Sequence, residues 1–174
     1  GGSGTSGAGG STGGGCAVQG CATTEGSMAG CEGATVIGRL AATSGYSTSG
    51  TTCGAGNSSD LASCYDIGQD RSYRIYLRKG DSVAFSVTSK GACEGGASSW
   101  QMSLKLFVSE GCDAPGCGAP SFDLDCKAPT TKKNVSYKAT KDAWVTLVID
   151  GFTAEATGAY DLTATLACAG GCGC

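Results

Sequence analysis

Between Ala34 and Leu166 the chain alternates apolar and polar residues in short runs. Period two is the mark of a strand with one buried face. In residues 72–77, Tyr73, Ile75 and Leu77 share a face; in residues 82–87, Val83, Phe85 and Val87 do. The intervening Arg78-Lys79-Gly80-Asp81 reads as a turn, with Gly80 free to take positive φ, so the two runs are expected to form a hairpin. Further strands are expected over residues 35–42 (Val36 and Leu40 inward), 101–108 (Met102, Leu104, Leu106 and Val108 inward), 134–139, 143–150 and 158–166 (Tyr160, Leu162, Ala164 and Leu166 inward). Trp100, Trp144 and Tyr160 read as core or strand-end residues rather than a sugar-stacking platform. No window carries an i, i+3, i+4, i+7 apolar stripe, and glycines interrupt every candidate helix. The pattern therefore predicts an all-β fold, an antiparallel jelly-roll-like β-sandwich. Residues 43–71 and 109–133 show little apolar patterning and read as long loops.

Composition divides the chain further. Residues 1–15 contain only Gly, Ser, Thr and Ala, a composition that behaves as a flexible coil and costs most to order. Residues 16–33 form a Cys-punctuated segment expected to be a stapled loop, residues 34–168 the sandwich domain, and residues 169–174 a Cys-rich end. The chain has 12 cysteines and no histidine. An even, dense set of cysteines predicts a disulfide framework and an oxidising compartment: Cys16, Cys21, Cys31, Cys53, Cys64, Cys93, Cys112, Cys117, Cys126, Cys168, Cys172 and Cys174. A thiolate metal cluster is the competing reading, drawn from Cys112 with Cys117 and Cys172 with Cys174, but no CxxC pair of the kind structural zinc sites carry is present. The best single pairing to expect from proximity along the chain is Cys53 with Cys64.

A formal net charge of −3 with interspersed signs offers no basic patch for nucleic acid. Arg78-Lys79 and Lys132-Lys133 read as solvated hairpin turns. The most apolar run, near residues 144–149, falls far short of the roughly 20 residues of a membrane span. Without an initiator Met or a signal peptide, Gly1 is expected to be a processed terminus of an exported chain, placed outside the cell or at its surface.

Asp70, Tyr73, Ile75, Leu77, Gly80 and Val83 follow the pattern D-x-x-Y-x-φ-x-φ-x-x-G-x-x-V, with φ an apolar residue. Trp144-Val145-Thr146-Leu147-Val148-Ile149-Asp150-Gly151 and Gly158-Ala159-Tyr160-Asp161-Leu162 look like V-D-G … G-x-Y-x-L, with Ile149 standing in the Val position, and Leu104-Lys105-Leu106-Phe107 followed by Cys112 fits between them. Over residues 34–168 this resembles the bacterial pre-peptidase C-terminal domain. The resemblance implies a secreted, non-catalytic jelly-roll-like sandwich, appended to peptidases or other exported proteins. Related collagen-binding modules hold calcium, yet no matching ligand set carries over. The cysteine load and the Gly-rich tail depart from that family, and no attached enzyme is expected within these 174 residues.

Candidate chemistry is sparse. Without histidine, Ser-His-Asp and Cys-His catalysis are excluded. The glutamates at 25, 32, 94, 110 and 155 fall in expected loops and turns, where carboxylates are ordinarily solvated rather than paired for glycosidic work. Asp113, Asp123 and Asp125 are the candidate calcium ligands, with Asp66 and Asp70 a weaker cluster; the plainer reading is that Asp favours turns. No other cofactor is expected. Gly13-Gly14-Gly15 lacks the Lys-Ser or Lys-Thr of a phosphate loop. Asn57-Ser58-Ser59 and Asn134-Val135-Ser136 match the glycosylation sequon.

Two expectations about function follow. In the first, the protein is a subunit of an extracellular filament, and the residues that assemble it are Gly1, Gly2, Gly4, Gly7, Gly9, Gly10, Gly13, Gly14 and Gly15. They would enter the sheet edge of an identical neighbour, a head-to-tail contact that propagates. In the second, the protein is a binding or adhesion module for carbohydrate or protein, appended to or cleaved from a larger exported protein, and the tail is a linker. The partners are copies of itself in the first case, and an extracellular polymer or cell-surface ligand in the second.

Overall fold

A computed structural model of the chain describes residues 34–37, 45–57, 68–93, 99–110, 122–123 and 130–169. The strands are β1 (Thr35–Val36), β2 (Tyr46–Thr51), β3 (Arg71–Leu77), β4 (Ser82–Ala92), β5 (Met102–Glu110), β6 (Phe122–Asp123), β7 (Lys132–Lys138), β8 (Ala143–Gly151) and β9 (Gly158–Ala167). They form two sheets, one of order β1-β3-β8-β5-β6 and the other β2-β9-β4-β7. All pairings are antiparallel except β1 with β3. The protein is an all-β, disulfide-bonded sandwich.

The core lies between the sheets, where the expected alternation holds. Ile75 and Leu77 of β3, Leu104 and Leu106 of β5, and Leu147 and Ile149 of β8 face Val83, Phe85 and Val87 of β4 and Leu162, Ala164 and Leu166 of β9, all at most 2% exposed. At about 25 cal/mol per Å² of apolar surface removed from water, these positions supply the main cohesive force. Trp100, Trp144 and Tyr160 are buried as expected; the Trp100 indole donates to the carbonyl of Ala159 at 2.7 Å.

The expected hairpin is a corner instead. β3 pairs with β8 and β4 with β9 and β7, so residues 78–81 carry the chain from one sheet to the other. Alternation reveals which face is apolar but not which strand completes the ladder; here two apolar faces confront each other across the core rather than lying side by side. Asp81 holds the corner, its carboxylate accepting from the amides of Arg78 (3.0 Å) and Ala169 (2.9 Å). Gly80 supplies the positive φ of 92°.

Other boundaries also differ. Residues 43–71 are not all loop, because β2 pairs with β9 along its length. Its inward positions, Tyr46, Thr48 and Gly50, hold a single large side chain, so the apolar signal is faint. Gly50 is required there: a Cβ would come within 2.5 Å of the Tyr160 hydroxyl. In the second expected loop, β6 adds to β5. Of the first expected strand the described part is Thr35–Val36, with Val36 half-buried and Ile37 a core residue; residues 38–42, Leu40 among them, lie outside the described residues. Lys132 and Lys133 begin β7 rather than forming a turn.

Cys53 pairs with Cys93, at a Cα–Cα distance of 5.6 Å, and not with Cys64. The register explains the choice. Thr51 lies opposite Ala159 and Ala92 opposite Gly158, so β2 and β4 end on either side of the start of β9, and the cysteines just beyond them meet. Closing a separation of 40 residues is worth about 4 kcal/mol in the chain-entropy treatment.

The two outer faces are unlike. That of the β3-β8-β5 layer is buried: Phe107 packs on Val148, and Lys105 is ion-paired to Asp150 at 2.7 Å with both side chains at most 1% exposed. That of the β2-β9-β4-β7 sheet is open, with Ser47, Ser49, Ala84, Asn134, Ser136, Thr163 and Thr165 exposed.

Candidate functional site

Two features of the open sheet and its margin carry chemistry. The first is the edge strand β7. The amide of Ala139 donates to the Asp81 carbonyl and that of Ser89 to the Thr131 carbonyl, each at 2.8 Å. With the β4–β7 register and the alternation of antiparallel ladders, these bonds fix the phase of β7. Lys133, Val135 and Tyr137 bond to β4, while Lys132, Asn134, Ser136 and Lys138 turn their backbone groups outward. Thr130 caps Lys132, its hydroxyl accepting from the Lys132 amide at 3.3 Å and donating to the carbonyl at 3.0 Å. Among the described residues nothing pairs with the outward backbone of Asn134, Ser136 and Lys138.

The opposite edge of the same sheet is blunted. On β2 the Ser49 carbonyl accepts from the Thr48 hydroxyl at 3.3 Å and the Thr51 carbonyl from the Arg71 Nε at 3.1 Å. Edge strands are templates for further pairing unless obstructed; among the described residues β2 is obstructed along half its length and β7 only at its first residue. Beside β7 a shallow hollow of about 240 Å³ runs over the outer face, bordered by Ala84, Ser86, Asn134, Ser136, Thr163 and Thr165.

The second feature is a cleft of about 190 Å³ at the mouth of the sandwich, lined by Thr35, Gly50, Thr51, Arg71, Ser72, Tyr73 and Tyr160. Arg71 opens β3 on its inward face and crosses to the Thr51 carbonyl of the other sheet. Below it the Tyr73 and Tyr160 hydroxyls hydrogen-bond at 2.8 Å, their rings edge-to-face at 6.3 Å. Burial pushes both phenols up from the usual value near 10. For Tyr160 the bond to Tyr73 adds to the rise, whereas for Tyr73 the same bond opposes it. The Arg71 charge pulls both back slightly, acting across the cleft.

Most of the residues singled out from the sequence fall outside the described residues: Gly1 to Gly15, Asp66, Asp113, Asp125, and the cysteines other than Cys53, Cys93 and Cys168. Cys168 is disulfide-bonded. Asp123 sits on β6 opposite Lys105, and Asp70 is fully buried with its amide donating to the Gly56 carbonyl, so these two candidate calcium ligands belong to different regions. Among the described residues no cluster of three or more acidic, Cys or His side chains could hold a metal ion. Both sequon asparagines are exposed, Asn57 after the β2 end and Asn134 on β7. Tyr73 and Tyr160 were visible only as strand residues, and Arg71 only as the last residue of an expected loop, whereas it opens β3. The available signal was two tyrosines at inward positions, since a buried phenol needs a polar partner that Leu or Val does not.

No family model and no curated protein matches this chain. Among solved structures it is similar to Aeromonas hydrophila PliG, a periplasmic lysozyme inhibitor of g-type lysozyme, at 13% identity and a TM-score of 0.38, over 75% of this chain and 93% of that one.

Proposed function

We propose that the protein is an exported, non-catalytic binding module that takes an extended segment of a partner as an additional strand along β7. The observation that carries this is the outward, unpaired backbone of Asn134, Ser136 and Lys138 beside a hollow in the outer face. Export rests on the disulfide chemistry, which needs an oxidising compartment, and extracellular or surface placement belongs to this reading. A pre-peptidase C-terminal domain-like role, as an accessory to exported proteins, agrees with it.

Magnitudes narrow the partner. Three outward residues offer up to about six hydrogen bonds at about 0.5–1.5 kcal/mol net each. Ordering about six partner residues costs about 1–2 kcal/mol apiece, so the backbone alone does not hold a strand. The remainder must come from partner side chains seated over the hollow, the usual source of specificity in strand addition. A Gly, Ser, Thr and Ala segment has little to place there. The tail of residues 1–15 therefore serves better as a flexible tether than as the donated strand.

The filament of self-complementing copies is the second reading, favoured by the same open edge. It requires contacts beyond the tail. Electron microscopy of the purified chain separates the two: uniform fibres that vanish on deletion of residues 1–15 support the filament, and monodisperse 17.0 kDa particles remove it. For the binding module, a displayed library of short random peptides is selected on the wild type and counter-selected on Ser136→Pro, which lacks one outward amide. Peptides enriched on the first and lost on the second support strand addition; no difference between the two refutes it.

A further inference from the structure

We propose that the cleft between the sheets is a carboxylate-binding site, with the Arg71 guanidinium as counter-charge and the Tyr73–Tyr160 hydroxyl pair as a second donor. This stands apart from the β7 edge, since different strands build it and the chemistry is ionic.

The argument is an inventory of donors and acceptors. Arg71 has five N–H donors, of which Nε is spent on the Thr51 carbonyl. Among the described residues no carboxylate pairs with its charge, although it is half-buried and lines the cleft. The two phenols carry one proton each, and their mutual bond at 2.8 Å uses one. Among the described residues neither hydroxyl has another partner, so one O–H is left to donate. The raised pKa values keep both phenols protonated, hence donors, through the neutral range. Thr35 and Thr51 also line the space, the Thr51 hydroxyl being spent on the Gly158 carbonyl at 3.4 Å, and among the described residues its lining holds no acidic residue.

Charge balance chooses the ligand. One guanidinium neutralises one negative charge; a phosphate dianion would leave a net charge in a half-buried site, which is costly. A carboxylate presents two coplanar oxygens that match the guanidinium fork. The volume of about 190 Å³ is many times the ~10–15 Å³ that holds one water and admits the carboxyl end of a larger molecule. Two sources share this chemistry: the α-carboxylate of a peptide terminus and the carboxylate of an acidic sugar.

The test follows Tyr ring resonances of the full chain, with ¹³C-labelled tyrosine, during titration with N-acetylalanine, galacturonic acid, N-acetylalaninamide and inorganic phosphate. Saturable shifts of Tyr73 and Tyr160 with at least one of the first two, and none with the neutral amide, are expected. Which of the two carboxylates binds more tightly identifies the source. Arg71→Gln should weaken the binding about tenfold or more, the loss of a charge-assisted bond, and Tyr73→Phe by a smaller factor; Arg71→Lys should recover part of it. Circular dichroism of each variant reports whether the fold survives; where Arg71→Gln does not fold, Arg71→Lys should still bind the carboxylate more weakly than the wild type, and equal binding overturns the proposal. Equal shifts with the amide, tighter binding of phosphate, or no response to either carboxylate each overturn the proposal.

Discussion

Proline at adjacent positions of β7 should have opposite consequences. Val135 lies opposite Phe85 in a pair that exchanges backbone bonds, and Ser136, opposite Ala84, turns its amide outward. Val135→Pro deletes a ladder bond and strands the carbonyl of Phe85, a residue 1% exposed. A lost bond of about 0.5–1.5 kcal/mol and an unsatisfied buried carbonyl of about 1–3 kcal/mol put the cost at about 2–4 kcal/mol. For a chain of this size, about 2–4 °C of melting temperature per kcal/mol gives a fall of about 4–16 °C. Ser136→Pro removes an amide without a partner among the described residues and is preceded by a residue already extended, so it should cost no more than about 1 kcal/mol, as on other edge strands. Thermal melts by circular dichroism, with both disulfide states fixed, measure the difference. Equal losses, or a larger loss at Ser136, would show that the hydrogen-bond phase of β7 is reversed and that its open groups are misplaced.

Three further outcomes follow. Replacing Cys53 and Cys93 together by Ala should lower stability by about 2–4 kcal/mol in denaturant unfolding, and Cys64→Ala should leave the Cys53–Cys93 bridge intact by mass-spectrometric mapping. Lys105→Met should cost about 3–5 kcal/mol by leaving the Asp150 carboxylate without its ion pair, and adding Asp150→Leu should recover most of it; an unchanged melt for the single variant would contradict the buried pairing. Tyr160 ionises in the unfolded chain near 10 and higher in the folded one. The folded state then holds more protons above pH 10, so stability present below that pH is lost as it rises, by up to about 1.4 kcal/mol per pH unit for the one group. Tyr160→Phe should flatten that alkaline decline in melting temperature.

Strand identity was legible in the sequence wherever burial demanded large apolar residues at alternate positions, as in 73-75-77, 83-85-87 and 160-162-164-166. It failed where it did not: β2 fills its inward positions with Tyr, Thr and Gly, and Gly50 is small because the Tyr160 ring occupies the space above it. Pairing was illegible for a different reason. The short link at 78–81 is compatible with a hairpin or a corner, and only the competing partners β8 and β9, distant in sequence, decide. The same remoteness hid the Cys53–Cys93 bridge, since its ends are brought together by β9. The β7 edge was half visible: the strand was expected from residue 134, but the outward turn of the Asn134, Ser136 and Lys138 backbone depends on register with β4. The cleft depends on Arg71, Tyr73 and Tyr160 meeting across two sheets, and no local pattern encodes that.

Residue-resolved amide exchange of β7 in the free chain, repeated with a selected peptide bound, is the decisive measurement. The amides of Val135 and Tyr137 should be protected throughout, and those of Asn134, Ser136 and Lys138 should exchange rapidly when free and slow markedly with peptide. Protection of all five amides in the free chain, or no slowing on binding, would contradict the assignment of β7 as a receptor for an added strand.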